Sequence, residues 1–390
     1  MTGQRVTIEK TAVAQFDLAE QHDALGEEIQ RAIAGVFASQ KFILGPQVGE
    51  LEQRMADRIG CAHAIACASG TDALLLPLRD LASRHGLESG VSPDRSADLP
   101  EVVVPAFTFF ATAGAVWNAG LRPAFCDVDE GTFNATGKTV RAAAGSRTVG
   151  VIPVHLFGHM APLDEIAAAV EEGVFLLEDV AQATGARTGS ASAGAIGHAG
   201  SFSFFPTKNL GGIGDGGMIT TSDDALADRL RKLRVHGGHK MYHHETVGTN
   251  SRLDTIQAAV LLAKLPYLDG WIEARRRHAA LYDELLADLV PVRTPVVAGE
   301  TFHTYNQYTI RVERRDGLRD HLSSRGIGTG VYYPTPLHLQ PCFRSLEYAV
   351  GDLPVSERLC DEVLSLPVYP ELGEERARVV AEAIRTFYEG

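Results

Sequence analysis

Apolar residues in the first part of the chain recur at the spacing that is typical of helices. Over residues 22–60 they follow helical spacing twice: Leu25, Ile29 and Ile33, then Val48, Leu51, Met55 and Ile59. The intervening FILGP predicts a turn, because Gly45 and Pro46 interrupt helices. The segment HAIACASGTDALLLPL then predicts a short strand, a turn of small residues and the start of a helix.

From residue 102 onward, apolar strands alternate with helices. The order is VVVP, a helix over about 108–119, PAFCDV at 123–128, TVGVIPVHLFG, the helix PLDEIAAAVEEG, and VFLLEDV at 174–180. This alternation predicts an α/β fold with a mostly parallel sheet that is covered on both faces. Residues 201–221 then predict two strands, SFSFFP and GMITT, around a glycine-rich turn, whereas the polar residues 82–100 predict a surface loop.

The C-terminal part has a different pattern. Residues 253–290 are strongly helical, and Pro266 and Gly270 predict a break between two helices. After about residue 290 the segments YTIRV, RDGLRDHLSSRG and GVYYP predict short strands and helices. These elements favour a smaller α+β domain at the C-terminal end.

Composition excludes several classes of protein. The 390 residues include 36 Lys+Arg and 49 Asp+Glu, so the net charge is 36 − 49 = −13, which argues against a general nucleic-acid binder. Five cysteines without a CxxC pair argue against a disulfide framework and a zinc ribbon. The N-terminus lacks an apolar signal-peptide core, and no uninterrupted apolar run approaches ~18 residues. We therefore expect a soluble, cytoplasmic protein that binds neither nucleic acid nor a membrane.

The first candidate for chemistry is SGTDAL at 69–74, where a strand turns into a helix. The free N–H groups of a first helical turn attract an anion, and Gly70 lets a ligand approach the backbone closely. The segment therefore favours a phosphate site. Plain N-capping by Ser69 or Thr71 is the alternative.

A second candidate is LLEDVAQATGA, in which an apolar strand delivers Glu178 and Asp179 at its C-terminal end. Ligands bind at that edge of open α/β sheets, and a carboxylate there can pair with a protonated ring nitrogen. The alternative is an N-cap for the following helix.

The third candidate is Lys208, in the aromatic and glycine-rich SFSFFPTKNLGGIGDGG. Apolar surroundings lower the pKa of an amine, which suits a Schiff-base lysine, although most lysines are solvated surface charges. The same stretch contains GxGxxG at Gly212, Gly214 and Gly217, but here the motif precedes the strand MITT instead of a helix. We therefore reject a nicotinamide or flavin site. The histidines of HGGHKMYHH lack a fixed metal-ligand spacing, so we expect no metal.

Together these motifs suit a pyridine cofactor with a phosphate tail, which needs a phosphate cradle, a carboxylate and a lysine. The sequence resembles the DegT/DnrJ/StrS family of sugar aminotransferases, and the resemblance runs over nearly the whole chain. It rests on SGTDAL, PAFTFFAT, CDVD, PVHLFG, LEDVAQATGA, FSFFPTKNL, GDGG, NSRLDTIQAA and YYPTPLHLQP. It implies the aspartate-aminotransferase type of fold (fold type I), with a large cofactor domain over 15–262, a small α+β domain over 263–390, and an N-terminal arm over 1–14.

The resemblance also implies a cofactor and a role for each matching residue. Pyridoxal 5′-phosphate (PLP) would cycle through pyridoxamine 5′-phosphate, with Lys208 as the Schiff-base lysine and Asp179 as the partner of the ring nitrogen. Gln182 resembles the contact to the ring hydroxyl, and Phe109 resembles the aromatic residue that stacks on the ring. The phosphate ligands would be Gly70, Thr71 and Ser203, with Asn250 supplied by the second subunit of a homodimer. The segments that line the nucleotide-sugar side contain Arg252, Tyr332, Tyr333 and His338.

The expected reaction moves an amino group from an amino acid, L-glutamate by resemblance, to a nucleotide-linked keto-deoxysugar, with position 3 as the candidate carbon. Three alternatives stay open: a PLP-dependent dehydratase, a cyclitol aminotransferase, and a catalytically silent regulatory protein of the same fold. Lys208 argues against the family branch that has histidine at this position and removes a hydroxyl group. The long loop at 82–100 and Tyr332, where relatives often have histidine, depart from the family pattern.

Overall fold

The structure is a computed structural model that describes residues 12–87 and 98–389. The expected loop at 82–100 and the N-terminal arm therefore lie partly outside the described residues. The α-helices within these ranges are α1 (Ala19–Ser39), α2 (Pro46–Ile59), α3 (Gly70–Arg84), α4 (Phe110–Asn118), α5 (Gly137–Ala143), α6 (Leu163–Ala167), α7 (Asp224–Leu233), α8 (Thr255–Lys264), α9 (Leu268–Leu286), α10 (Arg315–Ser324), α11 (Pro354–Glu362) and α12 (Gly373–Glu389).

The β-strands of the described residues form three sheets. They are β1 (His63–Cys67), β2 (Glu101–Pro105), β3 (Arg122–Cys126), β4 (Thr148–Val151), β5 (Phe175–Asp179), β6 (Arg187–Thr188), β7 (Ala191–Ser192), β8 (Ala199–Ser203), β9 (Gly217–Thr221), β10 (Val292–Arg293), β11 (Thr301–Phe302), β12 (Tyr308–Val312) and β13 (Val363–Leu366).

The largest sheet has seven strands in the order β1-β9-β8-β5-β4-β2-β3. Neighbouring strands are parallel except at β9, which is antiparallel to both β1 and β8. Every residue of β5 and β8 is buried, as expected for central strands that are covered on both faces. The predicted mostly parallel sheet with flanking helices is therefore confirmed.

A second core lies in the C-terminal part of the chain. It is built on the three-stranded sheet β10-β12-β13 with α9, α10 and α12. Val13, from the N-terminal part of the chain, also packs into this core. The core of the large sheet extends into the start of α9 at Ile272, whereas the second core begins at Ala279 of the same helix. Helix α9 thus joins both cores, and the predicted division at residues 262 and 263 stays a prediction.

Several local predictions differ from the structure. The helix predicted over PLDEIAAAVEEG forms only as α6, Leu163–Ala167. The expected strand GVYYP is irregular, with one bridge between Gly330 and Ser365. The strands that pair with β12 are β10 and β13, and β13 lies later in the chain than GVYYP. The break between α8 and α9 does occur, as a short 3-10 turn over Leu265–Tyr267.

Candidate active site

The candidate site lies at the carboxyl ends of the parallel strands. Asp179 is the last residue of β5 and Ser203 is the last residue of β8, and these strands are parallel neighbours. The carboxyl ends of parallel strands meet at one edge of a sheet, which is where ligands bind in open α/β folds. The N-terminus of α3 is at the same edge, because Gly70 approaches Ser203.

Gly70 and Ser203 form a close contact that has no room for a larger residue. A Cβ atom on Gly70 would lie 2.7 Å from the Ser203 Cβ and 2.9 Å from its Oγ. Ser69 caps α3, since its side chain accepts a hydrogen bond of 3.1 Å from the Asp72 N–H. Among the described residues, no hydrogen bond is made by the N–H groups of Gly70 and Thr71, which open the helix. The predicted phosphate residues are thus adjacent, with two backbone donors at a helix N-terminus.

Asp179 is buried and held from two sides. Its Oδ2 accepts a hydrogen bond of 2.9 Å from the Thr112 hydroxyl, and its Oδ1 accepts one of 3.1 Å from the Ala181 N–H. Burial raises the pKa of the Asp179 carboxyl, while Ala181, Thr112 and the positive charge of Lys208 favour its ionised form. In its ionised form this carboxylate could accept a hydrogen bond from a protonated ring nitrogen.

Lys208 lies in the turn that follows β8, and its N–H donates to the Phe205 carbonyl at 2.9 Å. Its side chain is partly buried, and loss of hydration lowers the pKa of its amine to about 8, although the charge of Asp179 acts in the opposite direction. An amine with this pKa is partly neutral at pH near 8, which a nucleophile or a general base requires.

Gln182 and Tyr333 close the site from another side. Gln182 Oε1 accepts a hydrogen bond of 2.7 Å from the Phe157 N–H, and its Nε2 donates one of 3.0 Å to the Tyr333 hydroxyl. The Phe109 ring lies 6.1 Å from the Tyr333 ring and is 57% exposed. A ring that is half open to solvent is available for stacking on a planar ligand.

Asn250 and Arg252 flank Ser251, whose hydroxyl accepts a hydrogen bond of 3.3 Å from the Ala68 N–H and donates one of 2.7 Å to Asp72 at the start of α3. Asn250 is exposed and bridges to Val235. Arg252 lines a cavity of about 830 Å³ formed mainly by residues 235–248, together with Leu44. Lys208 and Asp179 do not line this cavity, so the cavity is separate from these two residues.

The two remaining predicted substrate residues have different surroundings. The Tyr332 hydroxyl and the Gln15 side-chain amide are 3.0 Å apart. His338 is 2% exposed, and its Nε2 lies 3.1 Å from a carboxylate oxygen of Glu357. Its role in substrate binding stays a prediction, which burial in this conformation does not support.

Two residues near Asp179, Thr112 and His155, were missed from the sequence. Thr112 could have been found as a hydroxyl one helical turn after Thr108, at the start of the helix that follows β2. His155 and Glu178 form a fully buried pair at 2.9 Å. The backbone N–H of His155 also donates to the Asp179 carbonyl at 3.0 Å. The His155–Glu178 pair therefore helps to fix the end of β5.

Comparison with known proteins places these motifs in one family. Residues 23–385 match the DegT/DnrJ/EryC1/StrS aminotransferase family. The chain belongs to this family. The resemblance, the fold type and the assignment as an aminotransferase are therefore confirmed.

Relatives of this family match almost the whole chain. A pleiotropic regulatory protein of Geobacillus stearothermophilus is 47% identical over 96% of this chain and 98% of its own length. A UDP-N-acetyl-3-dehydro-α-D-glucosamine 3-aminotransferase of Acidithiobacillus ferrooxidans is 41% identical over 98% of this chain and 100% of its own. The crystal structure of S. venezuelae DesV in complex with a ketimine intermediate has a TM-score of 0.91 and 40% identity, covering 97% of this chain and 99% of that one.

Within the described residues, no helix combines the length and the apolar character that crossing a membrane requires. The same part of the chain contains no group of three or more His, Cys, Asp or Glu residues arranged to hold a metal ion. Two histidines of the His-rich segment have other partners: His239 Nε2 lies 2.7 Å from Asp228, and His244 Nδ1 lies 2.9 Å from the His236 carbonyl oxygen.

Proposed function

We propose that this aminotransferase uses PLP to move an amino group from L-glutamate to a nucleotide-linked keto sugar. The observation that carries the proposal is that Lys208, whose pKa is lowered to about 8, interacts electrostatically with the buried carboxyl of Asp179. Burial disfavours the charged form of both groups, and such paired shifts are typical of sites that move protons.

The residues present fit PLP at each of its functional ends. The phosphate fits the N–H groups of Gly70 and Thr71, which have no hydrogen-bond partner among the described residues, beside Ser203, where a Cβ on Gly70 would fill the space. The ring nitrogen fits Asp179, and the exposed Phe109 ring fits a stacking partner. When bound, PLP supplies an electrophilic carbonyl carbon and a ring that accepts electron density from the donor's α-carbon.

The chain's own residues supply binding and proton movement. The Lys208 amine would hold the cofactor in the resting protein and, when free, would be the base that holds and moves the donor's α-proton. Asp179 stabilises a proton on the ring nitrogen, and Thr112 orients the carboxylate by its hydrogen bond of 2.9 Å. Gln182, fixed by Phe157 and Tyr333, is positioned to contact the ring hydroxyl.

The acceptor is proposed from the relatives. The Acidithiobacillus relative is named for transfer to carbon 3 of a UDP-linked keto sugar, which supports a nucleotide-linked 3-keto sugar as acceptor here. Arg252 and the cavity of about 830 Å³ that it lines are the candidate site for the nucleotide. Tyr332, Tyr333 and His338 remain candidates for the sugar side.

We place the enzyme in the cytoplasm as a homodimer in which each subunit completes the other's site. Asn250 is proposed to reach the phosphate of the second subunit's cofactor. Its exposure in the single chain supports this role, because a side chain that reaches another subunit must be accessible.

The same residues bear on the three alternative functions: a silent regulatory protein, a dehydratase and a cyclitol aminotransferase. The Geobacillus relative is named a regulatory protein, which keeps a regulatory role in view. Against a catalytically silent protein, Lys208, Asp179 and the Gly70–Ser203 contact are all in place. A dehydratase or a cyclitol aminotransferase would use the same lysine with another substrate, so only product analysis separates them.

The decisive experiment is the visible absorption spectrum of the purified protein with PLP, before and after addition of L-glutamate. We expect a yellow band that disappears with glutamate and returns when a UDP- or dTDP-linked 3-keto sugar is added. Lys208→Ala should abolish both changes, whereas Lys138→Ala, at an exposed lysine of α5, should leave them intact.

Other outcomes are equally informative. A band that forms but ignores every amino donor would exclude transamination and leave the dehydratase or the regulatory role. Complete absence of a band in the wild-type protein would refute the cofactor assignment itself. Parallel initial-rate lines are expected for two half-reactions, and intersecting lines would contradict that order.

A further inference from the structure

Lys264 is a buried lysine that the proposed reaction does not use. It ends helix α8, is 1% exposed, and its Nζ donates a hydrogen bond of 2.7 Å to the Gly211 carbonyl. Its amine also lies 5.7 Å from the centre of the Trp271 ring. Burying an amine is costly unless its partners compensate, so the partner of this amine is informative.

That partner belongs to the turn that carries Lys208. The turn is closed on itself, because the Gly212 N–H donates to the Phe204 carbonyl at 2.8 Å. A Cβ on Gly211 would lie 2.3 Å from the Pro206 carbonyl oxygen, so the two arms of the turn are in direct contact. Lys208 lies between these arms. A hydrogen bond to Gly211 therefore constrains the backbone that presents Lys208.

A second residue of α8 holds the same turn. Gln257 Oε1 accepts a hydrogen bond of 2.9 Å from the Ile213 N–H. Gln257 and Lys264 are seven residues apart, which is close to two helical turns and places them on one face of α8. One of them accepts from the turn and the other donates to it, at points only two residues apart.

The glycines of this segment explain why the turn can lie so close to the helix. A Cβ on Gly212 or on Gly214 would lie 2.6 Å from the Gln257 side-chain amide. A Cβ on Gly217 would lie 2.2 Å from the Ser69 carbonyl oxygen. The GxGxxG pattern, which suggested a dinucleotide site, thus serves close packing on α8 and on the turn before α3.

We infer that Gln257 and Lys264 are positioning residues that clamp the Lys208-bearing turn onto helix α8. The clamp fixes the turn at Gly211 and Ile213, three and five residues after Lys208, so it limits where the Lys208 amine can point. The effect of this clamp on cofactor binding rests on the proposed function, but the two hydrogen bonds of the clamp do not depend on it.

The first test is hydrogen exchange measured by mass spectrometry on the cofactor-free protein. Lys264→Met and Gln257→Leu each remove one of the two side-chain hydrogen bonds that form the clamp, and the double variant removes both. We expect amide exchange over residues 204–216 to accelerate at least about tenfold in each single variant, because local opening becomes easier. Exchange over β2 and β3 should stay unchanged. The matched controls are Lys138→Met and Gln53→Leu, at exposed residues of α5 and α2.

These outcomes distinguish a role in positioning the Lys208-bearing turn from a general contribution to the stability of the fold. Unchanged exchange over 204–216 would overturn the proposal, and so would equal acceleration over all peptides. If Lys264→Met does not fold, the Gln257→Leu result decides. If both hydrogen bonds hold the same turn, the double variant should accelerate exchange by less than the product of the two single accelerations. An acceleration equal to that product would contradict a joint clamp.

A second readout connects the clamp to the site. In the presence of PLP, we expect each clamp variant to lower the second-order rate of band formation about tenfold and to shift the pH midpoint of that rate. Lys264→Arg, which retains a donor, should recover part of the rate. If the wild-type protein forms no band, the proposed function fails while the exchange result still decides the clamp.

Discussion

Thr112 donates a hydrogen bond of 2.9 Å to Asp179, and this contact joins helix α4 to the end of strand β5. Thr112 is fully buried, and its hydroxyl is 3.4 Å from that of Thr108. The carboxylate is thus fixed by a side chain on one oxygen and by the Ala181 N–H on the other. Asp179 is held in one orientation before any ligand arrives.

We expect Thr112→Val to lower the rate of the glutamate half-reaction about tenfold, since a hydrogen bond to a charged group contributes about 1.5–3 kcal/mol. Valine keeps the shape of threonine, so the change isolates the hydroxyl. Thr112→Ser retains the donor and should recover most of the rate. Single-turnover absorbance measurements with L-glutamate provide the check. Equal rates in wild type and Thr112→Val would show that the contact is dispensable.

The lowered pKa of Lys208 predicts how attachment of PLP depends on pH. The amine must be neutral to react, so the rate of band formation should rise with pH and reach its midpoint near 8. Because the charge of Asp179 acts to raise the pKa of Lys208, Asp179→Asn should move the midpoint to lower pH. Stopped-flow absorbance between about pH 6 and 10 measures both. A midpoint near the ordinary lysine value in the wild-type protein would contradict the burial argument.

The sequence was sufficient for the parts of the site that depend on local chain order. Asp179 ends an apolar strand, and Lys208 follows one, so the parallel sheet placed both at one edge. Thr112, Gln257 and Lys264 were missed because their partners are distant in sequence, and only packing brings them together. For His338 the motif favours a ligand contact, and that role stays a prediction; in the fold its ring packs beside the Phe125 and Tyr348 rings.

The contact between Gly70 and Ser203 predicts an effect specific to phosphate. Gly70→Ala would force a Cβ to within 2.7 Å of the Ser203 Cβ and displace the start of α3. We expect the affinity for PLP to fall at least about tenfold, with a smaller loss for pyridoxal, which lacks the phosphate. Gly49→Ala on α2 is the matched control, since nothing lies within 4 Å of its added Cβ. Equal losses for both ligands would show that the change is not at a phosphate site.

Glu178 predicts an acid-dependent contribution to stability. Its carboxylate accepts hydrogen bonds from the N–H groups of Gly194, Ile196 and Gly197 and pairs with His155. Burial acts to raise the pKa of Glu178, but His155 and the amides outweigh it and lower that pKa. The folded value is therefore below the unfolded one. The stabilisation is complete above about pH 4.3 and is lost as pH falls through the folded pKa.

Glu178→Gln should accordingly lower the free energy of unfolding at pH 7 by about 3 kcal/mol, because it removes a buried carboxylate that accepts hydrogen bonds from three backbone N–H groups. The difference from wild type should shrink as the pH falls below about 4. Glu172→Gln, at an exposed glutamate, should change little at any pH. Urea unfolding over a pH series tests the sign, and a difference that grows in acid would contradict it.

The adjacent tyrosines Tyr332 and Tyr333 have separate partners, which predicts separate effects on the reaction. The Tyr333 hydroxyl accepts from Gln182 Nε2 at 3.0 Å, whereas the Tyr332 hydroxyl contacts the Gln15 amide. Tyr333→Phe leaves the Gln182 amide without that partner, and the Phe157 N–H then holds Gln182 alone. We expect Tyr333→Phe to slow both half-reactions several-fold, because Gln182 is proposed to contact the cofactor, which takes part in both. Tyr332→Phe should instead raise KM for the keto sugar and leave the glutamate half-reaction unchanged. Steady-state kinetics combined with single turnovers separates the two effects. If Tyr332→Phe alone slowed the glutamate half-reaction, the proposed division between the cofactor side and the sugar side would be wrong.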